Sequence, residues 1–262
     1  MAENTRYSIV IVQCFCNRAI ALQQSIVATA EILDIVVKAQ STFDHVKSWD
    51  FDVMEESRDV LLGYIHTIFG ELGLMRAFKI SDARLHAFCS EASNRYHDEV
   101  PYHNFSHAWA VLHACYMTVS TTAVIDSITL EDTLGLFVGA ICHDAGHKGT
   151  NNAFHIACHH NDTLIPGLAL RYNDVSVLEN YHAYQCFNII QESPDNDIFK
   201  SLSPEQFSEV REIIIQVTFI LSAWPFTTRL FQGYPGNRHD SPHDAYRGVS
   251  REASFSARRQ RG

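Results

Sequence analysis

From Ala19 to about Leu221, apolar side chains return every three or four residues, which is the period of an α-helix rather than of a strand. Val60, Leu61, Tyr64, Ile65 and Ile68 make one such stripe, and Leu85, Phe88, Cys89 and Ala92 begin another. Alternating β-branched runs are scarce. Thr133 stands where it could cap a helix whose stripe is Leu134, Phe137, Val138 and Ile141 and whose end is marked by Gly146 and Gly149. Such a helix delivers His143 and Asp144 at its C-terminal end. Ser203, followed by Pro204 and Glu205, is a helix start with proline at the first position. The expected fold is all-α, with many helices.

The pattern stops after about Val217. Lys200 is the last lysine, glycines and prolines crowd the stretch Gln232 to Pro242, and no helical stripe survives there, so a disordered tail is expected. The chain is divided into an N-terminal helical extension (1–48), a helical domain (49–221) and a divergent tail (222–262). The run Ile26 to Val37 contains Glu31 and Asp34, and is too short and too charged to span a bilayer. It suits packing against the domain, or failing that dimerisation. No transmembrane segment or signal peptide is expected.

The seven cysteines are odd in number and form no Cys-x-x-Cys pair, which suits thiols in a reducing, cytoplasmic setting. Twenty Lys and Arg against thirty Asp and Glu give a net charge of −10, which repels a polyphosphate backbone and excludes a nucleic-acid polymer as partner. A small phosphate ester is still allowed, because metal ions can outweigh the global charge within a cleft.

Two segments carry that possibility. In Tyr102-His103-Asn104-Phe105-Ser106-His107 the two histidines are four apart and share a face if the segment is helical. One could bind a metal while the other faces substrate. In His143-Asp144-Ala145-Gly146-His147-Lys148-Gly149 an imidazole adjoins a carboxylate, and a second imidazole follows four residues on. Asp144 has two oxygens and could bridge two ions. Imidazole with carboxylate suits zinc, and an oxygen-rich neighbouring position suits magnesium or manganese. Isolated histidines such as His66, His86, His113 and His182 read as ordinary surface or core residues.

These segments, with Gly149-Thr150-Asn151-Asn152 and with Tyr172-Asn173-Asp174 leading into Ser176-Val177-Leu178-Glu179-Asn180, resemble the class I cyclic-nucleotide phosphodiesterases over about Trp49 to Val217. That family is an all-α member of the His-Asp metallohydrolase group. The resemblance implies hydrolysis of cyclic AMP or cyclic GMP to the 5′-monophosphate, with two divalent ions, zinc and magnesium (or manganese). It implies that His107, His143 and Asp144 are metal ligands and that His103 is the general acid. His147 and Glu179 would position waters around the second ion and orient the acid, and Tyr102 would flank the phosphate. No other cofactor is implied.

Three positions depart from the family pattern without touching a ligand: Ala110 and Gly146 replace frequent acidic residues, and Tyr181 replaces a common histidine. A larger departure follows Val217. The family continues into an Ile-Leu-Ala-Thr-Asp-like segment whose aspartate completes the metal site, whereas here Thr218-Phe219-Ile220-Leu221-Ser222-Ala223-Trp224-Pro225 follows, and no aspartate comes before Asp240. The expectation is an incomplete domain whose helices expose apolar faces that could pair with a like or unlike chain. His239-Asp240 and His243-Asp244 copy the motif on paper, but a Gly- and Pro-rich segment would have to be ordered to ligate. The alternative to an active enzyme is a catalytically impaired form serving as an interaction module.

Overall fold

A computed structural model describes residues 29–158 and 162–223. Among them every regular element is a helix, as the spacing predicts. A helix through residues 29–42 (α1) runs into the 3-10 turns Phe43–Lys47 and Val53–Glu55. There follow α2 (Arg58–Glu71), α3 (Leu74–Ala77), α4 (Asp82–Asn94), α5 (Phe105–Thr121) and α6 (Leu130–Cys142), then α7 (Asn152–Cys158), α8 (Leu168–Arg171), α9 (Val177–Glu192) and α10 (Pro204–Ala223). The expected tail lies, from Trp224 on, outside the described residues, as do residues 1–28. No helix among the described residues is long and apolar enough to cross a membrane.

The helix starts are written in side chains that accept from orphan backbone N–H groups. Ser57 accepts from Val60, Ser81 from Arg84 and Asn104 from His107. For α6 the cap is Thr129, one turn before the expected Thr133. Thr129 Oγ1 accepts from the Asp132 N–H while the Asp132 carboxylate accepts from the Thr129 N–H, a reciprocal box that Thr133 could not form. Thr133 turns its hydroxyl back onto the Thr129 carbonyl. At α10 the start is as predicted, with Ser203 Oγ accepting from the Gln206 N–H and Pro204 in the first position.

One apolar core runs through α2, α4, α5, α6 and α10, with Tyr64, Phe69, Phe88, Trp109 and Phe137 wholly buried in it. Each such side chain contributes about 1.5–3 kcal/mol by leaving water. His113 serves this core by donating from Nε2 to the Val46 carbonyl. Ala39 of α1 packs against Gly63, and Phe43 and Val46 join the same core, whereas Leu33 and Val37 are exposed. The N-terminal helix therefore packs on the domain along one side only.

Helices α6 and α10 approach closely because α6 presents glycines. A Cβ at Gly135 would stand 2.5 Å from Ile213, and one at Gly139 would stand 2.7 Å from Val217. The contact fixes α6 along its length, and so fixes its C-terminal end, where the candidate ligands emerge. A second, smaller apolar cluster joins Leu168, Ala169, Val177, Leu178 and Tyr181, with Ile156 and Ile165 against it. Phe207 and Ile220 of α10 and Tyr184 of α9 are exposed.

Candidate metal centre

Three helices bring the candidate ligands together. The first turn of α5 supplies His107, the C-cap of α6 is His143 with Asp144 next, and the middle of α9 supplies His182. His107 Nε2 lies 3.3 Å from His143 Nε2 and 3.4 Å from Asp144 Oδ2, and His143 Nε2 lies 3.2 Å from the same oxygen. Adjacent ligands in a tetrahedral site with bonds of about 2.1 Å stand about 3.4 Å apart. The three atoms therefore form one face of such a tetrahedron.

Hydrogen bonds behind the rings fix which nitrogen faces the centre. His143 Nδ1 donates to the Ala140 carbonyl at 2.9 Å and His182 Nδ1 to the Ala145 carbonyl at 2.8 Å. In the neutral rings both Nε2 atoms then carry lone pairs, the arrangement that metal-ligating histidines use. His182 Nε2 faces Asp144 Oδ1 at 3.9 Å, so two acceptors oppose each other across a gap that a cation or a water would bridge. The His107–His143–Asp144 donor set fits a divalent ion.

His103 is not on the helix. It precedes the N-cap Asn104, so the four-residue spacing to His107 does not put the two rings on one helical face. The turn instead carries His103 over the centre, where its Nδ1 donates to Asp144 Oδ2 at 2.8 Å. His103, His107 and Asp144 also gather ligating atoms within 4.8 Å. The His107–His143–Asp144 face fits a metal better, because its three edges match and its rings are buried, while the His103 side chain is about a quarter exposed. The His103 ring stacks on His147 at 3.9 Å between centroids, and His147 stacks on His182 at 5.5 Å. Tyr102 lies against His107, with ring centroids 4.4 Å apart.

Electrostatics agree with this geometry. Burial would raise the Asp144 carboxyl, but the surrounding histidines hold it well below the usual carboxylate range. Burial lowers His107 to about 4, depresses His147 strongly and depresses His182, so these rings favour the neutral form that ligates. For His143 burial pulls down, while Asp144 and the Ala140 carbonyl outweigh it and raise the ring. The carboxylate that draws a proton toward His143 would equally draw a metal ion.

The remaining motif residues form the wall. Gly149 N–H donates to His147 Nδ1. Asn152 accepts from the Leu178 N–H at 2.8 Å and donates to both Glu179 oxygens at 3.0 and 3.2 Å. It thus caps α9, whose own Ser176, at φ +44, makes no side-chain cap. Glu179 is held by Asn152 and makes no hydrogen bond to His103 or His147. Sequence reasoning passed over His182, though it follows Glu179 by three residues and so shares its helix face. It also passed over Asn152 as a bridge and over Ser222, whose hydroxyl donates to the His143 carbonyl at 3.1 Å from the end of α10.

Residues 102–222 match the family described as 3′5′-cyclic nucleotide phosphodiesterase. The chain is 33% identical over 178 residues to the 3′,5′-cyclic-nucleotide phosphodiesterase regA of Dictyostelium discoideum, covering 68% of this chain and 22% of that protein. It is 32% identical to the human high affinity cGMP-specific 3′,5′-cyclic phosphodiesterase 9A, covering 69% of this chain and 29% of that one. The phosphodiesterase domain of the RhoPDE fusion protein from the choanoflagellate Salpingoeca rosetta superposes with a TM-score of 0.60 at 31% identity, covering 69% of this chain and 54% of that structure. The chain thus spans under a third of these curated relatives and about half of the solved domain.

Proposed function

This chain belongs to the class I 3′,5′-cyclic-nucleotide phosphodiesterases, carrying part of their catalytic domain, and from that membership we propose that its centre hydrolyses a 3′,5′-cyclic nucleotide to the 5′-monophosphate. The observation that carries the proposal is the buried His107–His143–Asp144 face, with its edges of 3.2 to 3.4 Å.

When bound, divalent ions supply Lewis acidity at the phosphoryl group and toward water; the imidazole-rich face suits zinc, and the Asp144 Oδ1 side suits magnesium or manganese. His107, His143 and Asp144 would hold the first ion, and Asp144 with His182 would border the second. Water adds to phosphorus as the bond to the 3′ oxygen breaks, keeping one hydrogen on the new phosphate oxygen and releasing its other proton to solvent. His103, anchored through Nδ1 on Asp144, gives the departing oxygen its proton from Nε2. His147 keeps the His103 ring in plane by stacking, and Tyr102 backs the same rings. The Asn152–Glu179 pair closes the wall opposite and would order water there.

The substrate class is cyclic AMP or cyclic GMP, and the cytoplasm is the compartment that the free thiols of the described cysteines suit. Exposed Leu33 and Val37 on α1 support pairing with a like or unlike chain. A second reading, a metal-binding module without hydrolysis, draws on α10, which meets the site through the Ser222 hydroxyl rather than a carboxylate among the described residues. Hydrolysis of both cyclic nucleotides with zinc and magnesium, beside His103→Ala and Asp144→Ala, separates the two. Turnover abolished by both substitutions supports the enzyme, and none from folded, metal-loaded chain supports the module.

A further inference from the structure

Outside the metal centre, Thr150, His155 and Asp162 form a second chain of buried polar side chains, 4%, 0% and 3% exposed. Thr150 Oγ1 lies 2.8 Å from His155 Nε2, and His155 Nδ1 lies 2.5 Å from Asp162 Oδ2. Asp162 Oδ1 accepts from the Leu164 and Ile165 N–H groups at 2.9 and 3.1 Å.

These bonds have one consistent direction. Asp162 is anchored by its own turn and can only accept at Oδ2, so the proton of a neutral His155 ring sits on Nδ1, and Nε2 accepts the Thr150 hydroxyl. Burying three polar groups costs desolvation that apolar side chains of equal volume would avoid. Apolar packing is at hand, since Ile156 and Ile165, neighbours in sequence of His155 and Leu164, already pack against the small cluster. A directed chain therefore does something that packing alone would not: it fixes an orientation.

What it fixes is the strap between two parts of the site. Thr150 follows Gly149, whose N–H holds His147, and precedes by two residues Asn152, which holds Glu179 and caps α9. We propose that His155 and Asp162 are positioning residues that orient the Thr150 hydroxyl and thereby set the 149–152 strap, keeping the His147 ring and the Asn152–Glu179 pair in register with the metal centre. The consequence for turnover rests on the phosphodiesterase reading; the consequence for ring geometry does not.

Long-range proton–nitrogen NMR of the imidazoles in the full, zinc-loaded chain tests this. Wild-type His155 is expected to carry its proton on Nδ1. In Asp162→Asn the tautomer should reverse, because the asparagine oxygen is held by two N–H groups and its NH2 must face Nδ1. The His147 resonances should then move. Thr150→Val should move His147 while leaving the His155 tautomer alone, and Thr150→Ser, which keeps the hydroxyl, should restore wild-type positions. Turnover, where present, should lose about 10-fold in kcat with Asp162→Asn and with Thr150→Val, KM staying within about 2-fold. A wild-type ring protonated on Nε2 overturns the proposal. So do unmoved His147 signals in folded Thr150→Val, the variant that decides if Asp162→Asn does not fold. Absence of hydrolysis in every protein, wild type included, would sink the phosphodiesterase reading and leave the ring spectra to decide this one.

Discussion

The Tyr181 ring fills the space that a side chain on Gly146 would need: a Cβ there would come within 2.9 Å of Tyr181 Cε1 and Oη. Gly146 also sits at φ +81, and Tyr181 is held by the Gln185 amide at 2.6 Å. The two positions that depart from the resemblance, Gly146 and Tyr181, are therefore in steric contact. Gly146→Ala should destabilise by about 1–3 kcal/mol in urea unfolding. Adding Tyr181→His should recover part of that loss, and strictly additive effects would show that the positions are uncoupled.

His182 is expected to matter for the second ion and not for the first. It faces Asp144 Oδ1, while the His107 and His143 Nε2 atoms lie against Oδ2. Manganese titration followed by electron paramagnetic resonance should show the weaker site losing about 10-fold or more in affinity in His182→Ala, with zinc content unchanged. Loss of zinc in that variant would place His182 on the wrong side of the carboxylate.

Acid should weaken the fold at a site far from the metal. His66 on α2 is 2% exposed, and neither ring nitrogen has a hydrogen-bond partner. Asp82 of α4 makes only an ionic contact at 3.5 Å, and His86 of α4 faces the ring. Burial first, and His86 second, lower His66 from 6.5 to about 4. Unfolded, the ring gains its proton near pH 6.5; folded, it gains it only near pH 4. Between these values the unfolded chain binds more protons, so the stability is complete above pH 6.5 and is lost as pH falls toward 4, by up to about 3 kcal/mol. Thermal unfolding across this range should be less steep in pH for His66→Leu than for wild type.

The α6–α10 contact should tolerate no added volume. Gly139→Val drives a branched side chain into Val217 and is expected to cost about 1–3 kcal/mol, with matching loss of metal affinity as the end of α6 shifts. Gly70, which has nothing within 4 Å of its Cβ position, supplies the control: Gly70→Ala should be neutral or slightly stabilising.

Helical class and the start of α10 were legible in the sequence because apolar spacing and a Ser-Pro-Glu start are local signals. The start of α6 was misplaced by one turn, since choosing Thr129 over Thr133 depends on the reciprocal partner Asp132. The candidate ligands at positions 107, 143 and 144 came from the resemblance that their motifs carry. Their edges could not be read in this way, because α5 and α6 meet only through tertiary packing. His103 was named as the acid from the resemblance, while the shared helical face with His107, conditional on a helix there, is removed by the Asn104 cap. His182 was read as an ordinary surface or core residue and the Thr150–His155–Asp162 chain was not read at all, because each gains meaning from partners brought in by the fold.

Zinc X-ray absorption on the purified chain tests the central claim most directly. The account predicts one tightly held zinc with nitrogen and oxygen neighbours at about 2.0–2.1 Å, two of them imidazoles, and loss of that shell in His143→Ala and Asp144→Ala. A folded chain that retains no zinc, or that keeps the same shell in both variants, would contradict it.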